Sequence, residues 1–171
     1  PDQGAGAEPE LRVAVFVDLE SVRITGHLLE LSGGPQDGSL LAPGDDVTLT
    51  ASDGSIQIAS ASAAAGPARA RPLTGPLTLH SLAGVVTLNG AAYHGAAEVR
   101  VIARGRLTVV NRVPIEDYLP GVVPNEIGCE REEMLEAMKA QAIAARTYAL
   151  ANRNRYADAG IYGRAAASRR S

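Results

Sequence analysis

Two stretches of this chain are dense enough in reactive side chains to build a site. The first runs from Val110 to Ile127 and carries Glu116, Asp117 and Glu126. The second, from Glu132 to Tyr156, carries Lys139, Gln141, Arg146 and Tyr148. In the first stretch Pro114 suits an initial helical position, Pro120-Gly121 is expected to end that short turn, and Pro124 to hold Val123 extended. Glu126 then falls on a loop fixed at both ends, flanked by Val122, Val123 and Ile127. A carboxyl group partly removed from water among apolar neighbours keeps its proton more readily, which is what a general acid requires. The same position also suits a residue that complements the dipole of a following helix, and Glu116 and Asp117 suit a solvated or capping role in the short turn.

The second stretch contains neither Gly nor Pro and is rich in Ala, Glu, Leu, Met and Arg, so it predicts one helix over about residues 132–156. Its apolar stripe is Leu135, Met138, Ala142, Ala145 and Ala149. Acids at its start (Glu130, Glu132, Glu133, Glu136) and bases at its end (Arg146, Arg153, Arg155) match the helix dipole. Lys139, the chain's single lysine, stands seven residues before Arg146 on one face, while Gln141 and Tyr148 share a neighbouring one. Polar stripes thus flank an Ala face that would allow close packing, and the helix is expected to be central and buried. Taken alone, Lys139 and Arg146 also fit as solvated helix charges.

The elements that must position these residues are β-strands. Residues 1–10 have the Gly, Pro and acid content of a disordered leader, and the fold is expected to begin near Leu11. Leu11 to Val17, Ser21 to Thr25, Val47 to Ala51 and Ser55 to Ala59 read as strands, and so do Leu77 to Leu82, Val85 to Leu88, Ala97 to Ala103 and Arg106 to Val110. Gly33-Gly34-Pro35, Asp37-Gly38, Pro43-Gly44-Asp45, Asp53-Gly54, Asn89-Gly90 and Arg104-Gly105 mark the reversals between them. The Ala/Ser-rich run from Ala59 to Arg71 reads as a surface loop or fraying turn. The class is therefore α+β: short antiparallel strands packed against a long C-terminal Ala-rich helix, in one domain over residues 11–160, with residues 161–171 as an unstructured tail.

Composition narrows the function. A net charge of −3 and 4% aromatic residues, with Phe16 as the one phenylalanine and no tryptophan, supply neither a basic field nor a base-stacking platform, so nucleic acid is disfavoured as a partner. Cys129 alone can form no internal disulfide, and His27, His80 and His94 lack ligand spacing, so no metal and no cofactor is implied. No stretch approaches the length of a membrane span.

Four ordered blocks carry a resemblance to a known family. They are Tyr93-His94-Gly95; Val109 to Leu119 (VVNRVPIEDYL); Val122 to Ile127 (VVPNEI); and Glu136 to Ala149 (EAMKAQAIAARTYA). Together they resemble the SpoIID/LytB domain. The resemblance implies that Glu126 is the catalytic residue, with Ile127 standing where methionine is usual. It implies that Lys139, Gln141 and Arg146 line a glycan cleft, with Tyr148 of the same block among the substrate contacts. The activity implied is that of a peptidoglycan lytic transglycosylase cutting the MurNAc to GlcNAc link, in an exported protein of the cell envelope or extracellular space whose partners are glycan strands. The LytB branch of the family implies an alternative: a glycan-binding module that enhances a wall amidase without turnover. No match to the family's later blocks is evident after Gly160, so a third expectation is an incomplete domain that lacks one wall of its cleft and is inactive.

Overall fold

A computed structural model describes residues 8–33, 46–60, 72–102, 105–127 and 134–153, with the backbone alone for residues 60 and 125–127. Among the described residues eight strands come first: β1 Glu10–Leu19, β2 Ser21–Thr25, β3 Leu29–Ser32, β4 Asp46–Ser52, β5 Ser55–Ser60, β6 Leu77–Leu88, β7 Ala91–Ile102 and β8 Arg106–Pro114. Two helices follow, α1 Ile115–Ile127 and α2 Leu135–Asn152. All strands join one antiparallel sheet in the order β1-β8-β7-β6-β2-β4-β5, with β3 also paired to β6. The α+β class expected from the sequence is the class observed.

Alternation builds the core. In β2 and β4 every second residue (Val22, Ile24; Val47, Leu49) is buried, and these meet Leu77, Leu79, Val86, Leu88, Val99, Leu107 and Val109 in one aliphatic cluster. Phe16 packs against Tyr93, edge to face with centroids 6.5 Å apart. Burial pushes the Tyr93 phenol above its ordinary range near 10, so this tyrosine works as a neutral packing residue. The hairpin dipeptides Asp53-Gly54 and Asn89-Gly90 both have positive φ at each residue, as expected of their turn chemistry.

Gly95 explains part of a block that sequence inspection singles out. Its φ is +88°, and a Cβ there would overlap the backbone carbonyl of Arg112 on β8. Any side chain would push β7 and β8 apart where they are paired at Ala96 and Arg112. Gly95→Ala should lower stability by at least about 2 kcal/mol. Gly84→Ala is the control, since Gly84 shares the positive φ (+72°) but has open space around its Cβ position. Equal losses for the two in denaturant titrations would show that the Arg112 contact does not matter.

The strand boundaries differ from expectation in several places. β8 runs on past Val110 to Pro114, so Pro114 ends a strand and the helix starts one residue later, at Ile115; β1 runs on to Leu19. β3 was not anticipated, because four residues following a His27-Leu28 turn are too short to display a period. Leu77 to Leu82 and Val85 to Leu88 form one strand, interrupted only by a register shift between His80 and Val85. β7 begins six residues early, at Ala91. At the front of the chain, Pro9 and Glu8 are already engaged: the Pro9 carbonyl accepts from the Ile115 N–H (3.1 Å) and the Glu8 carboxylate from the Glu116 N–H (2.9 Å). Residues 1–7 and 154–171, and with them most of the expected leader and the whole expected tail, lie outside the described residues.

A charge cluster ties the edge strand β1 to the sheet. Glu98 on β7 has a side chain only 6% exposed, and it accepts from Arg100 on its own strand and from Arg12, which reaches across β8. Arg112 of β8 stands opposite Arg12 and bonds Glu10 at 2.7 and 3.2 Å. Its guanidinium is held above its ordinary range, first by that bond to Glu10.

Candidate functional site

α1 is the first correction to the local reading of the sequence. It does not stop at Pro120-Gly121 and give way to an extended piece; the helix runs unbroken from Ile115 to Ile127 with Pro120 and Pro124 inside it. Each proline removes one ladder bond, to the carbonyls of Glu116 and Pro120 respectively. Burial offsets the loss: Ile115, Leu119 and Val123, at i, i+4 and i+8, are 2%, 7% and 5% exposed, and Ile115 packs with Leu11 and Val113 of the sheet. Its N-terminus is tied by Glu8 and Pro9, and Glu116 and Asp117 complement the first turn.

Glu126 therefore lies in the last turn of α1 and not on a loop. Eleven residues make about three helical turns, so position 126 returns to the side that carries Ile115, Leu119 and Val123.

α2 is the second correction. It is uninterrupted, as expected, but no residue in it is buried, and it packs on α1 at the margin of the sheet. The sheet closes its own aliphatic core, and a face of alanines offers too little area to displace it. Met134, Met138, Gln141, Ala142, Ala145, Ala149 and Asn152 are half-buried along one side, and Ala149 packs on the small cluster of Leu11, Val113, Ile115, Val13 and Tyr118. Leu135, from the expected stripe, is instead 50% exposed.

The residues marked out by sequence are distributed as follows. Lys139 is exposed and bonds Glu136 at 2.7 Å, one turn earlier on the same helix. Gln141 is half-buried at the edge of the packed side, and Tyr148 is 69% exposed. Arg146 bonds the carboxylate of Glu116 in the first turn of α1. Ten residues separate Glu116 from Glu126, which is about 15 Å along the helix axis. Because α2 brings Arg146 and Ala149 to the start of α1, its earlier residues Lys139 and Gln141 lie toward the Glu126 end. Helical register thus draws two of the four candidates toward Glu126 and fixes Arg146 at the opposite end.

Sequence inspection assigned Glu116 a solvated or capping role and missed its bridge to Arg146; a thirty-residue separation leaves no local signal. Glu8 as a cap was missed for the same reason. Asn111, inside the matched block, is 6% exposed, and among the described residues its side-chain oxygen has no hydrogen-bond partner.

A known family matches the same region. Residues 103–169 match the family described as SpoIID, Stage II sporulation protein. That span holds β8, both helices and all five candidate residues, and leaves β1 to β7 outside it. An uncharacterized protein of Brachyspira hyodysenteriae is 45% identical over 63 residues, which are 37% of this chain and 16% of that protein. No solved structure matches the chain.

Proposed function

We propose that residues 103–169, which match the SpoIID family of stage II sporulation proteins, act on peptidoglycan as a lytic transglycosylase, with Glu126 as the single acid and base. The observation that carries the reading is the register of Glu126: last turn of α1, on the helix side that carries Ile115, Leu119 and Val123.

In the first step Glu126 gives its proton to the glycosidic oxygen between MurNAc and GlcNAc, and the bond from that oxygen to the anomeric carbon breaks. The carboxylate then takes the proton of the sugar's own C6 hydroxyl as its oxygen bonds to the anomeric carbon. A 1,6-anhydro ring closes, and Glu126 is protonated again. No water is consumed. Hydrolases that use two carboxyl groups hold them about 5–9.5 Å apart, and Glu116, about 15 Å along α1, is too distant to be the second. Lys139 would meet substrate carboxylate, Gln141 the acetamido groups, and exposed Tyr148 a sugar face.

The test is mass spectrometry of glycan strands, stripped of stem peptides, after incubation with the protein. Anhydro-terminated fragments are the expected product. Reducing ends in their place would indicate a hydrolase. Glycan binding with no new ends would replace this reading with that of a binding module that assists another wall enzyme.

A further inference from the structure

We infer that Arg146 is a positioning residue: its bridge to Glu116 sets the register of α2 along α1, and through it the placement of Lys139 and Gln141 relative to Glu126. Only the last clause rests on the glycan-cleavage reading. Shallow packing alone fixes α2 weakly along its length. Among the described residues it buries none and Met134 makes no side-chain cap bond, and three of the positions it half-buries, Ala142, Ala145 and Ala149, are alanines, whose small side chains interlock weakly. A slip of one turn would move Lys139 and Gln141 by about 5 Å past Glu126, while a displacement of about 1 Å already suffices to impair catalysis.

The bridge is anchored on the α1 side. The Glu116 backbone N–H donates to Glu8, the neighbouring Ile115 N–H donates to the Pro9 carbonyl, and Ile115 itself is buried with Leu11 and Val113. Glu116 is thus a fixed post at the start of α1. Arg146, three residues before Ala149, meets it where α2 touches the same small cluster. An arginine held there is about 15 Å along α1 from Glu126, which suits it to registering the helix pair better than to touching a sugar at the scissile bond.

The test uses the full chain with Glu116→Gln, Arg146→Gln, the double variant and the exchanged pair Glu116→Arg/Arg146→Glu. Two readouts are taken: amide hydrogen exchange along α2 without ligand, and release of anhydro products from glycan strands. Each single variant should lower protection of the α2 amides by about 2- to 5-fold, the range of a half-exposed ion pair. The double variant should add little more, and the exchanged pair should restore both protection and turnover. Unchanged protection in the single variants would overturn the register claim. Protection restored without turnover, in a chain whose wild type is active, would mean that Arg146 touches glycan itself. A wild type that releases no product would count against the glycan-cleavage reading alone, since the exchange readout decides the register claim without it.

Discussion

Replacing Glu126 with glutamine is expected to cut release of 1,6-anhydro products from purified glycan strands by at least about 10²-fold while leaving glycan binding in place. The amide keeps the shape of the carboxyl group but cannot give a proton to the glycosidic oxygen or take one from the C6 hydroxyl. Both halves of the reaction fail together. Glu116→Gln is the informative comparison, because Glu116 stands at the opposite end of α1 and its carboxylate already bonds Arg146. Its loss should reduce turnover by far less. If Glu126→Gln digests glycan at the wild-type rate and Glu116→Gln does not, the acid has been assigned to the wrong end of the helix.

The largest expected effect on stability comes from Glu98. Removing its charge takes away a carboxylate that both Arg12 and Arg100 bond, in a cluster where the glutamate side chain is 6% exposed. Breaking a buried pair from one side costs about 3–5 kcal/mol; the arginines retain some access to water, which places Glu98→Gln near the lower figure. For a domain of this size that is a fall in Tm of about 6–12 °C. Replacing Glu98 with leucine and both arginines with methionine removes the charges together and should return most of the loss. A glutamine variant that melts within a degree or two of wild type would mean that β1 is held by its ladder to β8 alone.

Legibility followed the range of the interactions. Asp53-Gly54, Asn89-Gly90 and the alternation of Val22 with Ile24 and Val47 with Leu49 are local signals, and they located most of the sheet. Proline rules are also local, and they misled at α1. Pro120 and Pro124 cost two ladder bonds, but Ile115, Leu119 and Val123 could bury only if the helix continued, and tertiary burial won. The alanine stripe of α2 gave its period correctly but could not say how much area its partner would offer. The positions of Lys139, Gln141, Arg146 and Tyr148 on one helix were legible. The bond from Arg146 to Glu116, like the reach of Arg12 across β8 to Glu98, depends on which distant elements become neighbours, and nothing within a window of sequence records that.

The pairing of β1 with β8 also governs when this domain can come into being. Glu10 and Arg112 are 102 positions apart, and the strands that hold them lie side by side. Contacts this remote must meet a large loop-closure entropy before they stabilise anything, so folding should be slow, on the scale of milliseconds to seconds. On a ribosome, β1 emerges before the other described strands and waits for its partner through their synthesis. Until β8 is made, a segment reading Leu-Arg-Val-Ala-Val-Phe-Val is available to any holding chaperone that favours extended apolar chain, and α1 has no β8 to grow from. The pairing of β1 is thus one of the last contacts that synthesis allows, however early the hairpins between have formed.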